Sequence, residues 1–171
     1  MGVRQYSYVG PEGIRLRAAA SPPGQSIGSR DELNRWAAAN KHSTSPVGQL
    51  VATFVVALDG RLCLADRHSE HIACSGGAPV LSAGEMFFES TGRGVGVVEI
   101  SNQSTGFCPE PESWSVVAAA LDRLGVEHPG EFTARVVFRR CPSCGERNLV
   151  KDGVFECQVC GHGLPHEWNF A

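Results

Sequence analysis

The stretch Cys-Pro-Ser-Cys-Gly at residues 141–145, together with Cys-Gln-Val-Cys-Gly at residues 157–161, decides the fold of the C-terminal region. Each motif places two thiolates on one side of a tight turn, and the final glycine supplies the positive φ that such a turn needs. Between the motifs, Asp152-Gly153 is a strong signal for a β-hairpin, which would bring the two motifs together. The predicted metal ligands are Cys141, Cys144, Cys157 and Cys160.

Four thiolates at this spacing are typical of a zinc ribbon. A site closed by four protein ligands has no open coordination position, so the sequence predicts a structural Zn²⁺ and not a catalytic one. The alternatives are two paired disulfides or a set of redox-active thiols. The ribbon predicts how the C-terminus is held together, without predicting what the protein does.

Composition bounds the architecture. The 171 residues suit one ordinary domain with a small appendage. We expect an α+β domain over residues 1–138, followed by the zinc ribbon and a docked aromatic tail over residues 139–171. A hydrophobic content of 42 % is enough for a real core. The formal charge of −3 gives no overall basic field that would attract nucleic acid.

The sequence predicts a soluble, cytoplasmic protein with no membrane contact. No apolar run approaches the roughly 20 residues that a membrane-spanning helix needs. The first six residues also lack the apolar region of a secretion signal. Three cysteines lie outside the two motifs, and this odd number favours a reducing compartment over a disulfide framework. These are Cys63, Cys74 and Cys108.

Two packed helices are predicted. Ser29 and Glu32 have the spacing of a capping box at the start of the first helix, which ends near Asn40. Residues 114–124 place apolar side chains on one face of the second helix, and Gly125 ends it.

The strands are predicted to form an antiparallel sheet of five or six members. Residues 51–58 are continuously apolar and rich in β-branched side chains, which indicates a central strand. Asp59-Gly60 then predicts a two-residue hairpin turn. We expect the four strands between residues 51 and 100 to form a meander. The remaining predicted strands are 5–9, 13–17, 61–65, 80–81 with 85–89, 95–100 and 132–138.

Three polar segments interrupt the strands where packing alone does not require them: residues 67–71, 82–85 and 101–106. Because the ends of neighbouring strands in a meander meet, we expect the three segments to line one rim of the sheet. The third segment also precedes a helix, whose free N-terminal amides favour an anion.

These segments resemble the C-terminal domain of the plant calmodulin-binding IQ-motif family and of bacterial proteins of unassigned function. In that family they typically read His-Ser-Ser-Phe, Ala-Ala-Gly and Ser-Gly-His-Tyr-x-Pro. The resemblance covers residues 51–127 and implies a fold and a rim, without a reaction. Glu70-His71 replaces Ser-Phe, Gly106 replaces the histidine, and no IQ motif precedes the domain, so calmodulin binding is not implied. The matching residues are His68, Ser69, Ala83, Gly84, Ser104 and Pro109, with Phe107 in place of the tyrosine.

Two functional hypotheses follow. The first is a binding or adaptor module that recognises a polar, nucleotide-like ligand or a protein partner, with the ribbon as scaffold. The second is a small intracellular enzyme acting on a phosphorylated or nucleotide-like substrate. Its catalytic groups would be His68, Glu70, Glu85 and Ser104, and the ligand-binding residues would be His71, Asn102, Gln103, Thr105 and Gly106.

Three narrower alternatives remain open. His-x-Glu at residues 68–70 is also the first half of a zinc deaminase signature, although Arg140 stands where that signature has proline. Cys108, near a helix start, is a candidate thiol nucleophile with His68 or His71 as base. A basic patch around the ribbon permits contact with nucleic-acid phosphates, or is an ordinary solvated face. The patch contains Arg135, Arg139, Arg140, Arg147 and Lys151.

Overall fold

Strand β2, Leu50–Ala57, is the centre of the fold. Seven of its eight residues are buried, as its unbroken run of apolar and β-branched side chains predicts. It pairs antiparallel with β3 on one side and with β4 on the other. The central-strand prediction is confirmed, and Gly60 in the turn that leads into β3 has a φ of 84°, the left-handed conformation that the hairpin signal implied.

The structure is a computed structural model, and it describes residues 2–171. The chain forms a five-stranded antiparallel sheet, a separate two-stranded sheet near the C-terminus, four α-helices and one 3₁₀ turn within the described residues. The α+β class is therefore confirmed. In chain order the elements are α1 Glu12–Ala18, β1 Gln25–Ile27, α2 Arg30–Ala39, β2 Leu50–Ala57, β3 Leu62–Asp66, α3 His71–Cys74, β4 Val80–Thr91, β5 Gly94–Ile100, the 3₁₀ turn Pro111–Ser113, α4 Trp114–Leu124, β6 Val137–Arg140 and β7 Arg147–Val150.

The strand order is β1-β3-β2-β4-β5, so the predicted meander is wrong. In a meander β4 would pair with β3, but β1 already pairs with the outer edge of β3. The chain after β3 instead crosses one face of β2 through α3 and returns on the other side of β2. His71 in α3 ties this crossover to β4, because its Nε2–H donates to the carbonyl oxygen of Gly84 at 2.9 Å.

The two faces of the sheet carry different cores. Phe54 and Val56 point to the face covered by α2 and α4, and Val55 points to the face covered by α1 and α3. This alternation is the two-residue period of a strand buried on both sides. The two predicted helices are confirmed: the Ser29 hydroxyl accepts from the Glu32 amide at 3.2 Å, and α4 ends at a left-handed Gly125.

Several local predictions fail near the N-terminus and before the cysteine motifs. Residues 13–17 lie in helix α1, whose single buried residue, Ala18, leaves no apolar stripe for the sequence to reveal. The strand predicted over residues 5–9 is reduced to one bridge between Tyr6 and Val80. The strand predicted over residues 132–138 starts only at Val137, since the preceding chain instead packs along the end of β5.

The C-terminal segment, residues 137–171, lies against the main sheet domain. Phe170 belongs to an apolar cluster with Cys108 and Phe138. The indole Nε1–H of Trp168 donates to the Cys108 carbonyl oxygen at 2.9 Å. The aromatic tail is therefore packed.

Among residues 2–171 there is no helix with the length and apolar character needed to cross a membrane.

Candidate functional site

The four cysteines of the two motifs meet in one cluster. Their sulfur atoms all lie within 4.8 Å of one another. Two of the separations, Cys141 Sγ to Cys160 Sγ and Cys144 Sγ to Cys157 Sγ, are 3.6 Å each. A tetrahedral centre with metal–sulfur bonds of about 2.3 Å places its sulfurs about 3.8 Å apart. The cluster is therefore positioned to hold one metal ion.

The two motifs build the cluster with the same backbone geometry. The amides of Gly145 and Gly161 each donate to the carbonyl oxygen of the first cysteine of their motif, at 2.9 Å in both cases. Both glycines have positive φ, 77° and 74°, which side-chain-bearing residues rarely adopt. The repeated turn aims the sulfurs of Cys141 and Cys157 toward the same point from two sides.

Hydrogen bonds to sulfur favour the thiolate form that a metal requires. The backbone amide of Cys160, followed by that of Val159 and the Asn148 side chain, lowers the pKa of the Cys157 thiol to about 6. The Glu146 amide also lowers the pKa of the Cys144 thiol, but desolvation and the three neighbouring sulfurs raise it to about 12, because several thiolates repel one another without a cation between them. The Asn148 Nδ2–H donates to Cys157 Sγ at 3.4 Å. Asn148 is 3 % exposed and was not predicted as a site residue, because a single asparagine in a short strand carries no sequence signal for a bond to sulfur.

The disulfide alternative does not fit. All seven cysteines are free, and sulfur separations of 3.6 Å far exceed the roughly 2.05 Å of a disulfide bond. The deaminase alternative also fails, because its metal needs an open position beside the His-x-Glu segment. Here the four cysteine sulfurs converge on one another, and no histidine of the described residues joins the cluster.

The polar rim is divided between two neighbouring cavities. The first, which we call the α1 cavity, has a volume of about 360 Å³ and is lined by His68, Glu70 and Arg17 among others. The second, the Arg147 cavity, has a volume of about 90 Å³. Ile14 and Glu70 line both cavities, so the two adjoin. The predicted rim residues in the Arg147 cavity are Glu70, His71, Thr105 and Gly106.

Arg147 brings the C-terminal segment to this rim. It lies in β7, and its guanidinium donates to the carbonyl oxygen of Thr105. Arg147 was predicted to belong to a basic patch around the ribbon, because residue spacing alone does not show that β7 reaches the 101–106 segment. The Arg147 cavity therefore has walls from four parts of the chain: the N-terminal residues, α3 with its N-terminal cap, the loop at residues 105–106, and the C-terminal segment.

Other predicted rim residues lie away from the cavities. Of the residues that the structure describes, neither Glu85 nor Ser104 lines the α1 cavity or the Arg147 cavity. Ser104 is 1 % exposed, and its hydroxyl accepts from the Phe107 amide at 3.4 Å. Glu85 lies in β4 opposite Thr53, and Gln103 is exposed. The four predicted catalytic side chains do not converge.

Asn102 is a fully buried scaffold group. Its Nδ2 donates to the carbonyl oxygens of Pro109 and Val136, at 2.9 and 2.7 Å, and its Oδ1 accepts from the Val136 amide at 2.8 Å. These bonds fix the loop before α4 to the chain that leads into β6. Both N–H donors of the Asn102 side chain are used within the protein, its oxygen accepts from a backbone amide, and the residue has no exposed surface, so Asn102 is not accessible to a ligand.

His71 and Gly84 form a second scaffold contact. Burial lowers the pKa of His71, which keeps the imidazole neutral with Nε2–H donating to Gly84. Gly84 also lies so close to Ser101 that a Cβ added at Gly84 would be 1.9 Å from the Ser101 carbonyl oxygen. Only glycine fits there. The rim segments are thus joined through β4, even though they do not share one cavity.

Cys108 is not a reactive thiol. It has no exposed surface, and burial raises the pKa of its thiol to about 12. A nucleophilic cysteine requires the thiolate near neutral pH and access to substrate. The positive φ of Cys108, 48°, belongs to the turn in which its amide donates to the Ser104 carbonyl oxygen at 2.7 Å.

Most of the predicted basic patch is engaged within the chain. Arg139 is 5 % exposed and forms an ion pair with Glu110, Nη1 to Oε1, at 2.7 Å. Arg140 lies over the Phe170 ring, and Arg135 pairs with Glu131. With Arg147 bound to Thr105, four of the five basic residues have partners in the described chain. Contact with nucleic acid stays a prediction.

Comparison of the chain with protein-family models, with curated proteins and with solved structures found no match. The resemblance to the calmodulin-binding family therefore stays a prediction. The fold and the cluster define the class of protein in physical terms. It is an α+β protein with a five-stranded antiparallel sheet and four C-terminal cysteines positioned to hold a metal ion.

Proposed function

We propose that the protein is a zinc-ribbon binding module, in which a structural Zn²⁺ holds the C-terminal segment and the rim binds a small polar ligand. The observation that carries the zinc assignment is the convergence of four sulfur atoms within 4.8 Å. An all-thiolate, tetrahedral donor set favours Zn²⁺ over hard cations such as Mg²⁺ or Ca²⁺. The free cysteines fit a reducing compartment, the cytoplasm.

The ligand class follows from the charges around the two adjoining cavities. Arg17 lines the α1 cavity and Arg147 lines the Arg147 cavity, while Glu70 lies on the border between them. An arginine offers a fork of donors to an anionic group, and a carboxylate accepts from hydroxyl or amine groups. A molecule that combines both kinds of group, such as a ribose phosphate, matches this arrangement.

A binding role is favoured over catalysis by the position of Ser104. Catalysis through the predicted set requires His68, Glu70, Glu85 and Ser104 to reach one substrate. The Ser104 hydroxyl is buried and bonded to the Phe107 amide, which gives it a structural task. His68 and Glu70, which do line the same cavity, remain as recognition groups.

The zinc proposal is tested by metal analysis of protein purified without chelator. We expect one equivalent of zinc per chain, released by denaturation and a chelator. Protein that is fully folded and free of zinc would contradict the proposal.

The ligand proposal is tested by titrating the zinc-loaded protein with ribose 5-phosphate and following backbone amide shifts by NMR. We expect the shifts to cluster around residues 66–73 and 105–106. Arg17→Ala should weaken binding about tenfold, because a charge-assisted hydrogen bond is lost. Arg15→Ala, on the same helix but outside the α1 cavity, is the matched control. Equal affinity for both variants, or shifts elsewhere, would exclude the rim as the binding site.

A further inference from the structure

A separate cavity of about 880 Å³ lies on another side of the molecule, and the rim proposal does not use it. Its walls come from the N-terminal arm (residues 2–6), the start of β4, the chain that enters α4, and the aromatic tail. We call it the Trp168 cavity. Arg4, Tyr6, Glu112, Glu167 and Trp168 all line it.

Two aromatic rings give this cavity a fixed wall. Tyr6 and Trp168 pack edge to face, with ring centroids 5.6 Å apart and planes at 78°. Each ring is anchored by its polar end: the Tyr6 hydroxyl accepts from the Glu110 amide at 3.2 Å, and the Trp168 indole donates to Cys108. A ring held in this way offers its negative face to a cation at little cost in side-chain entropy.

A cation already occupies that face. The Arg4 guanidinium carbon lies 4.8 Å from the centroid of the Trp168 ring. Arg4 is exposed, and no ion pair holds it among residues 2–171. The contact with the ring is therefore the interaction that positions this side chain, and it identifies the indole face as a place where a guanidinium fits.

The charges around the ring favour a cation as well. Arg139 also lines the cavity, but Glu110 neutralises it in an ion pair whose side chains are only 6 % and 13 % exposed. Glu112 and Glu167 line the cavity, are exposed, and take part in no ion pair of the described residues. Two free carboxylates thus face a single free guanidinium, that of Arg4.

We propose that the Trp168 cavity is a docking site for an arginine side chain of a partner polypeptide, which stacks on Trp168 between Glu112 and Glu167, and that Arg4 is the internal occupant it displaces. The volume admits the residues that flank such an arginine as well as the side chain itself. Because Arg4 competes for the ring from within the same chain, it lowers the apparent affinity of the partner.

The test uses the full-length, zinc-loaded protein and the tripeptide acetyl-Gly-Arg-Gly-amide, followed through the indole N–H signal of Trp168 by NMR. Removing the internal competitor with Arg4→Ala should tighten binding about two- to fivefold, the range of an exposed cation–π contact. Glu167→Gln should weaken it. Both substituted residues are exposed, so neither change threatens folding.

Two controls make the result decisive. The same tripeptide with citrulline in place of arginine keeps the shape and removes the charge, and it should bind at least about fivefold more weakly. Arg15→Ala removes a surface arginine away from the cavity and should leave the affinity unchanged. The proposal is overturned if Arg4→Ala fails to tighten binding, if citrulline binds as well as arginine, or if neither peptide moves the Trp168 signal.

Discussion

The cysteine cluster and the polar rim are both built from short turns, but their polar groups face different partners. In the cluster, four sulfurs point at one another and are bonded from outside by backbone amides and Asn148. In the rim, the side chains of Asn102 and Ser104 form hydrogen bonds with backbone groups, and the His71 imidazole donates to the carbonyl oxygen of Gly84.

This difference separates scaffold from site. A buried polar group with all its bonds made inside the protein has nothing left for a ligand. A set of like groups that converge on a shared point is unfavourable until something binds them. By this criterion the cluster is positioned to hold a metal ion, and Asn102, Ser104 and His71 are scaffold groups. The proposed recognition groups of the rim are His68, Glu70 and Arg17, which line the α1 cavity.

The largest expected effect comes from Cys144→Ser, which removes an exposed ligand of the cluster. We expect loss of the metal and fast hydrogen exchange over residues 141–166, because metal binding and the folding of this region are coupled. The amides of β2 and β4 should stay protected. Cys63→Ser, outside the cluster, is the control and should keep its metal. Full metal content in the Cys144→Ser variant would show that the cluster is not the site.

The next largest effect concerns the ion pair between Arg139 and Glu110, which links the C-terminal segment to the loop before α4. Glu110→Ala leaves the Arg139 guanidinium buried without its counter-charge, which should destabilise the protein by about 3–5 kcal/mol. Glu112→Ala, two residues away and exposed, should change the free energy of unfolding by less than about 0.5 kcal/mol. Urea unfolding measures both. Similar values for the two variants would mean that the ion pair does not hold the C-terminal segment.

A third prediction tests the scaffold of the rim. Gly84→Ala forces a Cβ to within 1.9 Å of the Ser101 carbonyl oxygen, so the strands must separate. We expect a loss of about 3 kcal/mol in the free energy of unfolding. Gly130→Ala is the matched control: no atom lies within 4 Å of its added Cβ, and its effect should stay near zero. If Gly84→Ala is equally well tolerated, the close approach at β4 is not a constraint.

The smallest effect is a pH dependence from His71. Burial lowers the pKa of His71 in the folded state, so below about pH 6.5 the unfolded chain binds more protons than the folded one. Stability should therefore fall as pH falls below 6.5, by at most about 1.4 kcal/mol per pH unit from this group. His71→Gln keeps a donor for Gly84 and should flatten this part of the profile. An unchanged profile would assign the pH dependence to other groups.

The predictability of each region follows from the range of the interactions that build it. The cysteine motifs depend on local interactions. Gly145, Gly161 and Asp152-Gly153 adopt the positive φ of their own turns, so the spacing of the cysteines in the sequence was enough to predict that the four sulfurs converge. The α2 cap and the buried run of β2 were readable for the same reason.

The arrangement of the rim depended on long-range pairing. Nothing in the sequence of β3 states that β1, a three-residue strand, occupies its outer edge. With β1 on the outer edge of β3, β4 pairs on the other side of β2, and Ser104 does not line the cavity that His68 lines. The role of Arg147 was hidden similarly, because its contact with Thr105 joins residues 42 positions apart.

We propose that the four cysteines, and no other residues, bind one structural zinc ion. X-ray absorption spectroscopy at the zinc edge on the purified protein tests it most directly. We expect four sulfur ligands at about 2.3 Å and no shorter nitrogen or oxygen shell. A spectrum with nitrogen or oxygen ligands at about 2.0 Å, from a histidine or water in place of a thiolate, would contradict it.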